Sequence, residues 1–126
     1  MNMSDLPLDD DLIFSPQAMR KARAAAADSR ALVDVLEQQS GLSADAFVRA
    51  LGRKLRYEVL DMDAIYRLLP AFDVVPFGVA LQREILALRD AQGELYLVTG
   101  DPFDVRLSGW AEANVAEEFR WCLAHR

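Results

Sequence analysis

The one cysteine, Cys122, and the one histidine, His125, stand three residues apart, a C-x-x-H spacing that elsewhere carries metal. A zinc site needs three or four ligands, and the sequence holds no other cysteine or histidine to complete one. A strand running through both residues would also send them to opposite faces. Cys122 therefore reads as a small buried side chain. His125 is the only imidazole that a nucleophilic serine or cysteine could use, and no nucleophile turn lies near it. Asp61 and Asp63 are spaced to share a strand face, where a carboxylate pair can hold a cation or move a proton. The plainer reading is a strand end, with Asp63 capping the next helical turn. Asp101-Pro102-Phe103-Asp104 reads as an Asx-type turn, an anchoring aromatic and a helix cap. Arg53, Lys54 and Arg56 form the one basic cluster, fit to grip a phosphate or an acidic partner. At a helix end the same charges serve the helix dipole.

What is missing narrows the chemistry further. Neither lysine, Lys21 or Lys54, lies in a G-x-x-x-x-G-K-[ST] loop, so this stretch of chain has no phosphate cradle for ATP. Gly93 and Gly100 are too far apart for a dinucleotide-binding glycine loop. No catalytic, cofactor-binding or metal-binding residue is assigned, and a binding module rather than an enzyme is expected.

The chain has 126 residues, 52% of them hydrophobic, with 20 acidic and 14 basic side chains and a net charge of −6. That is the size of one domain, with enough apolar side chains for a core of its own. A pI near 4.7 and scattered arginines argue against a nucleic-acid surface, which needs a basic patch. One cysteine excludes an internal disulfide framework and fits a reducing compartment. No apolar run approaches the ~20 residues that span a bilayer, and the acidic start is the reverse of a signal peptide. A soluble, cytoplasmic chain is expected.

The elements follow from caps and periodicity. Residues 1–12 read as a disordered acidic lead-in to a single domain over 13–126. Ser15-Pro16 starts a helix reaching Ala27, Asp28-Ser29 caps a second, and Gly41 ends it. Leu32, Val35, Leu36 and Gln39 form the stripe of that second helix. Ser43 starts a third helix with Phe47, Ala50 and Leu51 on its apolar face. A short β-type run, Tyr57 to Met62, follows, then helical turns from Ala64 to Leu69 stopped by Pro70, and a short helix from Phe77 to Arg83. Glu84–Arg89 and Glu94–Thr99 flank the turn Asp90-Ala91-Gln92-Gly93 as a β-hairpin. Leu95 and Leu97 against Tyr96 and Val98 predict a sheet covered on both faces, with the helical half as one cover. Asp104 caps a helix over Val105–Asn114, and Phe119–Ala124 forms a last strand with one buried aromatic face. The fold class is α/β in the broad sense: an N-terminal helical layer packed on a small mixed sheet with a β-hairpin.

Two stretches carry a resemblance. One is Gly41-Leu42-Ser43, Phe47, Ala50-Leu51, Leu55 and Val59 to Met62. The other is Glu84 to Arg89, Gly93-Glu94-Leu95-Tyr96-Leu97-Val98-Thr99 and Asp101-Pro102-Phe103-Asp104. In order and spacing they resemble the N-terminal domain of type II secretion and type IV pilus assembly ATPases, the MshE N-terminal domain family, over residues 29–124. The resemblance implies a non-catalytic docking and regulatory domain ahead of a hexameric ATPase. It would dock that motor onto the cytoplasmic domain of an inner-membrane platform protein and contact its own ATPase domain. It would stay peripheral to the membrane and insert nothing into it. The chain stops in or just after its last strand, as at a boundary before such a motor.

Some relatives bind cyclic di-GMP through Arg-Leu-Gly motifs, which makes a nucleotide sensor the alternative function. Leu32-Val33-Asp34 stands at that position here, without the arginine and with a carboxylate that would repel a phosphate, which argues against it. The same domain type also occurs fused to membrane glycosyltransferases. Arg56 stands where the family has a glycine, and a left-handed cap would cost an arginine about 1 kcal/mol; a different helix ending is expected there.

Overall fold

The computed structural model describes residues 10–125 and divides into two compact units, Met1–Arg56 and Tyr57–Arg126. The first is helical. The lead-in lies outside the described residues as far as residue 9, but from Asp10 the backbone forms a helical turn, α1 (Asp10–Ile13). Its end is buried: Ile13 and Phe14 leave solvent, and the Phe14 ring lies 6.0 Å from that of Phe47. α2 (Pro16–Ala25) is capped by Ser15, whose hydroxyl accepts from the Ala18 amide at 3.1 Å. It stops short of Ala27 because Ala26 turns extended.

α3 (Ser29–Ser40) is capped by Asp28, which accepts from the Ala31 amide at 2.8 Å, and it ends on Gly41 at φ 69°. α4 (Ala44–Leu55) is capped by Ser43, accepting from the Ala46 amide at 3.2 Å. Leu32, Val33 and Leu36 of α3 and Phe47, Val48, Ala50 and Leu51 of α4 are buried, as is Ala22 of α2. Val35 is only half-buried, and Gln39 spends its side chain on the Ala18 carbonyl at 3.3 Å.

α4 ends otherwise than expected. Arg56 itself adopts the left-handed conformation, φ 61° and ψ 42°, and its amide donates to the Gly52 carbonyl. The apolar stripe ends at Leu55, so the chain must turn at the next residue whatever its type; arginine takes the strain that glycine would avoid.

The second unit is a five-stranded mixed sheet in the order β1-β5-β4-β3-β2, and its helices complete an α/β fold. β1 (Glu58–Val59) is shorter than expected, because Asp61 caps α5 (Met62–Tyr66). Leu69–Pro70 is not the stopped end of a helix but an edge strand, β2, opposite Leu88 and Arg89. A proline with no amide to donate is tolerated at such an edge. α6 (Phe77–Arg83) precedes β3 (Ile85–Arg89), which pairs antiparallel with β4 (Leu95–Thr99) across the expected turn. α7 (Val105–Asn114) then crosses over to β5 (Phe119–Leu123), which runs parallel to both β4 and β1.

Both sheet faces are covered, and the unit supplies the covers itself. Ile85, Ala87, Leu95 and Leu97 pack with Leu107, Ala111 and Val115, with Val79, Ala80 and Trp110 beside them. On the other face, Leu88, Val98 and Cys122 pack with Leu60, Ile65 and Leu68. β5 differs from expectation: Phe119 and Trp121 stay half-buried, edge to face at 5.7 Å, while Cys122 and Leu123 are fully buried. A strand with a neighbour on each side needs apolar groups on both faces.

Candidate functional site

The hairpin and the two segments next to it gather most of the organised polar chemistry of the sheet unit. Asp90 opens the turn and accepts from the Gln92 and Glu94 amides, each at 2.9 Å, with one carboxylate oxygen. Its other oxygen accepts from the Tyr96 hydroxyl at 2.9 Å. The Glu94 amide first, and the tyrosine besides, hold the Asp90 carboxyl below its ordinary range. The same bond, helped by burial, pushes the Tyr96 phenol up to about 12. Arg89 grips Glu117 at 2.8 and 2.7 Å and Asp73 at 3.1 Å, which joins β3 to the segment that leaves β2 and the one that enters β5. That carboxylate pair raises the guanidinium's proton affinity, and Arg89 in turn lowers the Glu117 carboxyl. Every partner here is internal, and the arrangement fixes the hairpin.

A cleft of about 120 Å³ lies where β4 leaves the sheet, between Tyr57, Thr99, Trp121 and the start of α7. Asp101 and Asp104 line it, and both do structural work. The Asp101 carboxylate accepts from the Phe103 amide at 3.1 Å, while its own amide donates to the Thr99 hydroxyl at 3.0 Å. Asp104 accepts from the Arg106 and Leu107 amides at 3.0 and 3.3 Å. The Asx turn and cap are therefore as expected. With two carboxylates and no basic group in its lining, the cleft repels phosphate. It is also well below the ~300 Å³ at which small-molecule pockets begin.

The other candidate residues are placed as follows. Cys122 is fully buried, its Sγ 3.9 Å from Glu58 Oε2; burial first, and then the Glu58 charge, push its thiol up to about 12. Such a thiol stays protonated and is no nucleophile at neutral pH. His125 lies beyond the end of β5 and exposed. The cap of α5 is Asp61, accepting from the Ala64 amide at 2.8 Å, and not Asp63, which lies two residues on, within the first turn. The change follows from the early end of β1. Arg53 and Lys54 fill the last turn of α4, ahead of Arg56 at its cap. Leu32 and Val33 are core residues, and Asp34 is exposed. Among the described residues no group of three or more histidine, cysteine or acidic side chains is set to hold a metal, and no helix is long and apolar enough to cross a membrane.

One feature of the surface escaped the sequence. Of eight large hydrophobic side chains exposed among the described residues, six fall between Met62 and Leu81. The signal in the sequence is Phe72, Phe77 and Leu81 in a stretch too short to bury them all.

No family model matches the chain, and no curated protein does either. Among solved structures, that of MshE with cdg shares its fold, with a TM-score of 0.62 at 22% sequence identity, covering 92% of this chain and 85% of the MshE chain.

Proposed function

We propose that this chain is a non-catalytic interaction and regulatory domain of the kind that precedes type IV pilus and type II secretion ATPases. It would stand at the cytoplasmic side of the inner membrane and place a motor on the cytoplasmic domain of a platform protein. The fold shared with MshE over nearly the whole chain carries this reading. Two local features support it: Gly41 stops α3 in the left-handed conformation, and Asp101-Pro102-Phe103-Asp104 forms the strand-to-helix turn. The test is co-purification of this chain with the cytoplasmic domain of an inner-membrane platform protein from the same organism. A stable complex is expected; absence of binding overturns the reading.

A second reading rests on one observation, that MshE was solved with cdg, which we take as cyclic di-GMP. Against it, Leu32 and Val33 point into the core, and Asp34 offers an exposed carboxylate where a phosphate would approach. Titration calorimetry with cyclic di-GMP is expected to show no heat of binding; micromolar binding would make the chain a nucleotide sensor.

A further inference from the structure

The apolar surface between Met62 and Leu81 is the least explained part of the molecule. Phe72 and Phe77 pack edge to face at 5.7 Å, yet both remain exposed. Leu81 follows Phe77 by one helical turn on α6 and is 64% exposed, and Leu69 on the edge strand is 70% exposed. A monomer rarely leaves so many large apolar side chains in water close together unless a partner covers them.

Charge says which partner. Residues 1–56 hold eight acidic and eight basic side chains, whereas 57–126 hold twelve acidic and six basic, so the net −6 belongs to the sheet unit. A unit of that net charge repels a second copy of itself and an anionic bilayer at long range, and it attracts a cationic partner. The edge strand disfavours strand addition: β2 has two residues, and Pro70 has no amide to donate. Phe77 and Leu81 instead present a helix face, and helices pack on helices through such i, i+4 ridges.

We infer that the surface formed by Leu69, Phe72, Phe77 and Leu81 docks a basic amphipathic helix of a protein partner. This rests on the reading of the chain as an interaction domain and names the chemistry of what it binds. The apolar face of the incoming helix covers the phenylalanine pair, and its lysines or arginines complement the net negative charge of the unit.

The test uses two synthetic helical peptides with the same leucine face, one with lysine and one with glutamate on the other face, titrated by fluorescence anisotropy. The lysine peptide is expected to bind and the glutamate peptide not. Phe77→Ser with Leu81→Ser should weaken binding about tenfold or more, as loss of central apolar anchors does. Val105→Ser, an equally exposed apolar position on α7, is the control and should change nothing. Melting curves of all variants verify the fold; should the double variant not fold, Leu69→Ser alone carries the comparison. Equal binding by the double variant and the parent overturns the inference. So does a dimer in sedimentation velocity, or adsorption to vesicles of phosphatidylglycerol, that Phe77→Ser abolishes. If the platform domain binds and Phe77→Ser leaves that complex intact, the inference fails while the proposed function stands. If the platform domain does not bind but the lysine peptide does, with the Phe77 dependence, the reverse holds.

Discussion

The two units solve different problems with the same chain. The helical unit balances its charges and buries most of its apolar stripes, and the starts of α2, α3 and α4 are closed by their own caps: Ser15, Asp28 and Ser43. The sheet unit holds all the excess negative charge, both tryptophans, every tyrosine, the cysteine and most of the exposed apolar surface. Unmet apolar surface and uncompensated charge are the features on which the proposed recognition can act, and the sheet unit is where both lie. Recognition is therefore to be sought on the sheet unit. Tryptophan fluorescence reads that unit alone, which makes the comparison measurable.

The largest effect should come from the two cores. Leu97 is fully buried at the centre of β4, and Leu36 is fully buried on α3. Each cut to alanine should cost about 2–5 kcal/mol, the transfer loss plus the cavity left behind. Leu97→Ala should lower the fluorescence-detected melting point, and amide exchange should show lost protection across residues 57–125. Leu36→Ala should take its protection first from α3 and α4. Equal loss in both regions from either substitution would break the division into two units.

Alkaline pH sharpens the comparison chemically. The folded sheet unit holds Cys122 and Tyr96 each with a pKa raised to about 12, from ordinary values of 9.0 and 10.0. A proton bound more tightly in the folded state stabilises it fully below the unfolded pKa. That stability drains away as pH rises from about 9 to the folded values near 12. The fluorescence-detected melting point should therefore fall over this range. Both of these groups belong to the sheet unit, since residues 1–56 hold no cysteine or tyrosine. Cys122→Ala should flatten the decline; an unchanged slope would show that the thiol is not linked to folding.

What the sequence revealed divides along the same line. Caps and the hairpin turn are local events, settled by a hydroxyl or carboxylate three residues from an amide, or by Gly93 at φ 81°. They were legible, in either unit. The edge strand was not, since Leu69 and Pro70 become β-structure only by pairing with residues far along the chain. Parallel pairing of β5 with both β1 and β4 likewise leaves no local mark. The apolar surface was hidden for the same reason: Phe77 and Leu81 have core spacing, and only the packed structure shows that no neighbour covers them. Asp61 displaced Asp63 as a cap because a shift of two residues in where the strand ends decides which carboxylate reaches the amide.

Cap removal should give a smaller and more even effect. Ser43→Ala on α4 and Asp104→Ala on α7 each leave helix amides without an acceptor, at a cost of about 1 kcal/mol. Asp104 serves two amides and lines the cleft, so its loss should be the larger and should appear in Trp121 fluorescence. If Ser43→Ala costs more, the helical unit depends on its caps more than on its core.

The smallest effect has the opposite sign. Arg56 and Glu84 are the two non-glycine residues at positive φ among the described residues, one closing α4 and the other α6. In that conformation Cβ crowds the backbone, and glycine removes the crowding. Glycine also gives the unfolded chain more freedom, so the net gain is about 0.5 kcal/mol or less. Arg56→Gly should therefore raise the helical melting point slightly, by circular dichroism. Glu84→Gly should gain less, because the Glu84 side chain has an interaction of its own to lose. Arg56→Gly also removes one charge from the basic helix end, which gives it a second reading. If stability rises and binding of the platform domain is unchanged, the arginine is a tolerated strain and recognition stays with the sheet unit. If binding falls while stability rises, Arg56 is retained for contact, and the helical unit shares in recognition after all.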